Sequence, residues 1–216
     1  MLLIFDCDGV VLDSMMLHGE VESEAYGKLG IHISPHELSR RFGGFPQADV
    51  SKILERETGC KVPPDFDVEK EKEKIFTQRM KAIPRIHETL DALWDIPRCI
   101  ASGSGVVSLK HMLSLVGLYD HFAPHIFSSE MVPRGKPAPD LFLFAANKMG
   151  VEPKECLVLE DGLAGIQGAK AAGMRVFGFV GGSHCDEGHG ARLKDEGAEI
   201  VFSDMRELPS LLDGLF

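Results

Sequence analysis

The stretch "LLIFDCDGVVLDS", residues 2 to 14, runs four apolar side chains, Leu2 to Phe5, straight into Asp6 and Asp8. An unpaired carboxylate buried beside such a run is costly, and two at i, i+2 repel. Three other places carry matching chemistry. "RCIA" leads into Ser102, Gly103 and Ser104; "RGKPAPD" sets Lys136 between Gly135 and Pro137; "CLVLE" ends in Glu160, with Asp161 next. Four acids, a hydroxyl and an amine gathered in one place need a cation among the acids. Oxygen ligands without His or Cys favour Mg²⁺ over zinc. A metal, a lysine, a hydroxyl and a carboxylate nucleophile together make a phosphoryl-transfer site.

Whether these residues meet depends on the elements that carry them. From residue 84 onward the chain alternates helical patterns with short apolar runs: "RCIA", "HIFSS", "CLVLE", "MRVFGFV" and "AEIVFS" read as strands, and "LLIF" is the first of the set. Such alternation predicts an α/β fold, a Rossmann-like doubly wound parallel sheet with right-handed crossovers. Ligands of such sheets bind at the carboxyl ends of the strands, which is where every residue named above lies. Between "LLIF" and "RCIA" stands a stretch without strand signals. Helices are predicted from "MMLHGEVESEAYGKLG", "SPHELSRRF", "PQADVSKILERETG" and "VEKEKEKIFTQRMKAI". Ser34, Pro35 and Glu37 read as a capping box with a first-turn proline, and Glu69–Lys72 and Glu71–Lys74 as pairs on a solvated face. The organisation expected is a catalytic core of residues 1–14 and 84–216 with an all-helical domain, 15–83, inserted after the first strand and hinged near Ser14 and Pro84.

Composition bounds the partners. The chain has 216 residues, 44% hydrophobic and 26% charged, with a formal net charge of −10. That is an ordinary soluble globular balance, and it argues against nucleic acid, whose phosphates need a basic surface. The five cysteines are odd in number and form no C-x-x-C, which fits a reduced, cytoplasmic protein. The N-terminus enters a strand at once, so no signal peptide is expected, and no apolar run suits a membrane helix. A monomer acting on a small molecule is expected.

"FDCDGVVLDS", "ASGS", "GKPAPDLF" and "LEDGLAGIQGAKAAGM" together resemble the haloacid dehalogenase superfamily, in its helical-cap branch of phosphatases and β-phosphoglucomutase-like proteins. The resemblance spans essentially the whole chain in order and spacing. Asp8 separates this sequence from the dehalogenases proper, whose pattern lacks the second Asp. The resemblance implies that Asp6 is the nucleophile, forming an aspartyl-phosphate, and that Asp8 is the general acid and then the base. It implies a Mg²⁺ held by the Asp6 carboxylate, the Asp8 carbonyl and Asp161, with Glu160 beside it. Ser102, with Gly103 in the same turn, would hold a phosphoryl oxygen, and Lys136 would neutralise the growing charge. A cap would close over the substrate. On it, His18, twelve residues after Asp6, matches a proton-shuttling position of the mutases. Arg41, Gly43, Gly44 and Gln47, in "RRFGGFPQAD", match the substrate-selecting loop.

Two departures bear on the activity. The mutases carry Lys and Arg around the glycine of that loop, where this chain has Gly43 and Gln47, and Arg85 follows Pro84 where the family has Gly. The expectation is therefore a Mg²⁺-dependent phosphatase of a sugar or sugar-acid phosphate. A hexose-phosphate mutase and a non-catalytic scaffold are the alternatives. "SGSGVVS" lacks the third glycine of a dinucleotide fingerprint, and no Walker pattern occurs. "GGSHCDEGHG", with His184, Cys185 and His189, reads as a glycine-rich surface loop rather than a soft-metal site.

Overall fold

A computed structural model describes residues 1–42, 47–66, 68 and 75–213. The chain forms two compact units, Met1–Asp13 with Lys81–Phe216, and Ser14–Met80.

The first unit is a six-stranded, all-parallel sheet: β1 (Leu2–Phe5), β2 (Arg98–Ser102), β3 (Ile126–Ser128), β4 (Cys156–Glu160), β5 (Arg175–Phe179) and β6 (Ile200–Phe202), in the order β3-β2-β1-β4-β5-β6. β1, β2 and β4 are buried along their whole length, as strands covered by helices on both faces must be. Leu2, Ile4, Cys99, Ala101 and Val158 share one core cluster with Leu141, Phe142, Ala145, Ile166 and Ala169 of the helices Asp140–Met149 and Leu163–Ala171. Alternate side chains of β1 face the other way, where Phe5 meets Phe122 edge-on at 5.6 Å.

The strand order places the site. β1 pairs with β2 on one side and β4 on the other, so the direction of winding reverses between β1 and β4. Phe5 is level with both Ile100 and Leu159, so Asp6, Ala101 and Glu160 come next at one height on the carboxyl edge. Beyond Asp6 the chain doubles back tightly: Val11 and Leu12 both donate their N–H to the Cys7 carbonyl at 2.9 Å, and Gly9 donates to the Leu12 carbonyl at 2.7 Å. Gly9 has φ +87°, a conformation glycine adopts without strain.

The chain leaves and rejoins this unit through adjoining residues. Asp13 N–H donates to the Lys81 carbonyl and Ile83 N–H to the Val11 carbonyl, each at 2.9 Å, and Leu12 and Ala82 form an antiparallel bridge. Lys81–Ile83 therefore group with the core rather than with the insertion, and the return lies ahead of Pro84.

In the second unit, helices Met15–Lys28, Pro35–Phe42 and Gln47–Thr58 gather Tyr26, Ile31, Ile33, Leu38, Phe42, Val50 and Leu54 into their own core. Ser34 Oγ accepts the Glu37 N–H at 3.2 Å, the expected cap, while the Glu37 carboxylate takes Arg41 at 2.9 Å. Residues 75–79 are helical. The Glu69–Lys72 and Glu71–Lys74 pairs lie outside the described residues.

Candidate active site at the carboxyl edge

β1 ends in Asp6, which is 6% exposed. Its Oδ1 accepts Lys136 Nζ at 2.6 Å, and the same ammonium reaches Glu160 Oε1 at 3.1 Å. Lys136 thus bridges the ends of β1 and β4. The carboxylates of Asp6, Glu160 and Asp161 bring ligand oxygens within 4.8 Å of one another. Asp8 meets hydroxyls: its Oδ2 accepts Ser104 Oγ at 2.7 Å and Ser102 Oγ at 3.4 Å. Two carboxylates two residues apart therefore sit in different surroundings, one on an ammonium and among acids, the other on hydroxyls.

The electrostatics follow from burial. Asp6 is raised to about 7, first by burial, then by the Asp161 and Asp8 charges, with Lys136 opposing. Burial also pushes Glu160 well up, with Asp6 adding to it and Lys136 opposing. Burial works against the charge of Lys136, but Asp6 and Glu160 outweigh it and hold the ammonium above its usual range. The Cys7 thiol, buried beside Asp8 and Asp6, is pushed well up, which leaves it unreactive as a nucleophile.

The Lys136 ammonium and the His184 imidazole, which burial pushes down but Asp161 holds above its usual range, do not balance three clustered acids, and one acceptor is left over: Glu160 Oε2 is buried with no hydrogen-bond partner. Such orphans are rare. A hard divalent cation fits both facts, since it binds carboxylate oxygens and lowers the cost of keeping them ionised. The donor set fits Mg²⁺.

Local packing explains the turn after β4. Glu160 lies over the first turn of the helix Leu163–Ala171, where a Cβ on Gly165 would stand 1.5 Å from its Oε1. The turn after β2 is braced from β3 and the residues after it: Ser128 Oγ donates to the Ser104 carbonyl and Ser129 Oγ to the Gly103 carbonyl, both at 2.7 Å, and Glu130 Oε2 accepts the Val106 N–H at 3.1 Å. Ser104 also donates its N–H to Ser102 Oγ at 3.1 Å.

The structure thus brings Asp6, Asp8, Ser102, Gly103, Lys136, Glu160 and Asp161 to one edge. Three of the helical unit's candidates make contacts within that unit. Arg41 pairs with Glu37 at 2.9 Å and Glu57 at 2.5 Å. Gln47 donates to the Phe66 carbonyl at 3.3 Å, and His18 lies edge-on to Phe76 at 4.6 Å. Gly43 and Gly44 lie outside the described residues.

One expectation needs correction. The segment holding His184, Cys185 and His189 is more than a surface loop: His184 is half-buried and its Nε2 lies 2.8 Å from Asp161 Oδ2, and His189 Nε2 lies 2.6 Å from the Asp161 carbonyl. The signal was available in the topology. β5 neighbours β4, so the residues after β5 must emerge beside Asp161. Ser104 was likewise legible as a second hydroxyl two residues beyond Ser102.

Residues 1–173 match the family of haloacid dehalogenase-like hydrolases. The 6-phosphogluconate phosphatase of Escherichia coli (strain K12) is 28% identical over 185 residues, covering 84% of this chain and 83% of that protein. The phosphorylated carbohydrates phosphatase of Thermotoga maritima is 30% identical, covering 82% and 84%. Among solved structures, a HAD family hydrolase of Deinococcus radiodurans R1 with bound phosphate and sodium superposes with a TM-score of 0.84 at 32% identity, over 97% of this chain and 93% of that one.

Proposed function

The chain belongs to the haloacid dehalogenase-like hydrolases and is a phosphoric monoester hydrolase among them; we propose that it hydrolyses a small sugar or sugar-acid phosphate through an aspartyl-phosphate on Asp6, with Mg²⁺ as its cation. The observation that carries this reading is the different holding of Asp6 and Asp8. Asp6 accepts from the Lys136 ammonium, while Asp8 faces the hydroxyls of Ser104 and Ser102. Different surroundings for two such acids support different roles for them.

In the first step an Asp6 carboxylate oxygen bonds to phosphorus as the ester P–O bond breaks, and Asp8 gives its proton to the departing alcohol oxygen. In the second, the Asp8 carboxylate takes a proton from water, the water oxygen bonds to phosphorus, and the Asp6–phosphorus bond breaks to release phosphate. Lys136 offsets charge on the phosphoryl oxygens, and Ser102, in a turn braced by Ser128 and Ser129, orients one of them. Asp6, Asp161 and Glu160 would hold the cation together with the Asp8 carbonyl; when bound, it supplies positive charge for the phosphoryl group and for the acids themselves.

The sugar class is supported by the printed names of the two relatives above. All five cysteines are free, which supports a reducing compartment such as the cytoplasm. Among the described residues no helix is long and apolar enough to cross a membrane.

The test is phosphate release from a panel of sugar and sugar-acid phosphates in Mg²⁺, with Asp6→Asn beside the wild type. Release by the wild type and a loss of several orders of magnitude in the variant are expected. Interconversion of isomers without release would replace the hydrolase with a mutase, and a variant keeping a tenth of the activity would remove Asp6 as nucleophile.

A further inference from the structure

Asp161 is held from two directions by one loop. After β5 the chain runs through Gly181 and Gly182 to the helix His189–Glu196, and its two histidines reach back to the residue that ends β4's turn. His184 Nε2 lies 2.8 Å from Asp161 Oδ2, with both side chains 7% exposed. His189 Nε2 lies 2.6 Å from the Asp161 carbonyl.

The tautomers are fixed by the partners. The Arg192 guanidinium, which can only donate, lies 3.2 Å from His189 Nδ1. That nitrogen therefore accepts, and the proton sits on Nε2, facing a carbonyl that can only accept. His184 faces a carboxylate oxygen with Nε2, which carries a proton toward it, and Cys185 Sγ lies 3.4 Å from the same nitrogen.

The fit around His184 is close. A Cβ on Gly182 would stand 2.7 Å from His184 Cε1, and one on Gly9 would stand 1.9 Å from Asp161 Oδ2 and 3.0 Å from His184 Cε1. Two glycines on different segments thus leave the slot in which ring and carboxylate meet. The loop is also tied to the segment that follows Asp8: Ser183 donates its N–H at 2.9 Å and its Oγ at 2.7 Å to Asp13 Oδ1.

We infer that His184 and His189 are positioning residues that aim Asp161 at the cation, His184 by occupying its Oδ2 and His189 by fixing its peptide. The inference rests on the cation reading given above. With Oδ2 committed to an imidazole N–H, the other oxygen is the one left to join Asp6 and Glu160. Outer partners of this kind hold a metal ligand in its binding orientation, and losing one weakens metal affinity by about 10–100-fold.

The experiment titrates Mg²⁺ against substrate-free wild type, His184→Ala, His184→Leu and His184→Gln, reading the dissociation constant by calorimetry and by the Mg²⁺-dependent rise in Tm. Initial rates then give the half-saturating Mg²⁺ concentration beside kcat. The expected result is a dissociation constant raised roughly 10–100-fold in His184→Ala and His184→Leu, with the loss larger in half-saturating Mg²⁺ than in kcat. His184→Gln, whose amide nitrogen can occupy the place of Nε2, should recover most of the affinity. The leucine variant keeps the bulk of the ring without its donor, so a failure of the alanine variant to fold leaves the question answerable. A wild-type dissociation constant in His184→Leu, whatever its Tm, would overturn the inference while leaving the cation reading in place. Absence of Mg²⁺ binding by the wild type would overturn both.

Discussion

Gly165→Ala separates two physical effects that predict opposite signs. Gly165 lies in the helix Leu163–Ala171, where replacing glycine by alanine is worth about 1 kcal/mol of stability from propensity alone. Here the added Cβ would stand 1.5 Å from Glu160 Oε1, 2.0 Å from its Cδ and 2.3 Å from its Cγ. Glu160 is 3% exposed and cannot swing into solvent. Its displacement breaks the bond to Lys136, and a buried charge-assisted hydrogen bond is worth about 1.5–3 kcal/mol. The net expectation is destabilisation of roughly 0.5–2 kcal/mol, at about 2–4 °C of Tm per kcal/mol for a chain of this size. Glu160→Ala removes all three clashing atoms, so in that background Gly165→Ala should stabilise by up to about 1 kcal/mol. The double-mutant cycle, read from urea midpoints at constant m, should give a coupling of about 1.5–3 kcal/mol. An equal effect of Gly165→Ala in both backgrounds would refute the packing argument and the account of why the turn after β4 needs this glycine.

Asp8→Ala should slow alkyl phosphates far more than an activated aryl phosphate, because a good leaving group needs little protonation; steady-state kcat/KM on both substrates reads the difference, and equal losses would contradict the acid role. Exhaustive chelation should abolish phosphate release, with activity restored by Mg²⁺ and not by zinc, given the oxygen ligands offered by Asp6, Glu160 and Asp161; activity that survives chelation would take the metal out of the mechanism.

The strand ends were legible because one rule governs them all. In a parallel sheet every carboxyl end lies on one edge, so finding "LLIF", "RCIA" and "CLVLE" as strands sufficed to gather Asp6, Ser102 and Glu160 before any contact was known. What escaped was whatever depended on which strand neighbours which. His184 belongs to Asp161 only because β5 lies beside β4, and nothing local in "GGSHCDEGHG" states that adjacency. Arg41 shows the same limit from the other side. Its partner Glu37 stands at i−4 and could be read from the sequence, but Glu57 reaches it from another helix. The guanidinium of this candidate substrate-binding residue is paired with two carboxylates. The helical pattern ending in "KAI" places Lys81–Ile83 in the insertion; the hydrogen bonds of Lys81 to Asp13 and of Ile83 to Val11 group them with the sheet unit.

That pairing of Asp13 with Lys81 and of Leu12 with Ala82 makes the whole of Ser14–Met80 a single closed loop as far as the sheet is concerned. The entropy of closing a loop grows only with the logarithm of its length, about 0.6 kcal/mol for each doubling. From a turn of a few residues to the segment Ser14–Met80 is about four doublings, so closing the folded module at this neck costs the sheet only about 2.4 kcal/mol more. Length and content of the inserted chain are free to change while Asp6 and Asp8 keep their register a few residues upstream, so one contiguous segment can be exchanged without disturbing the end of β1.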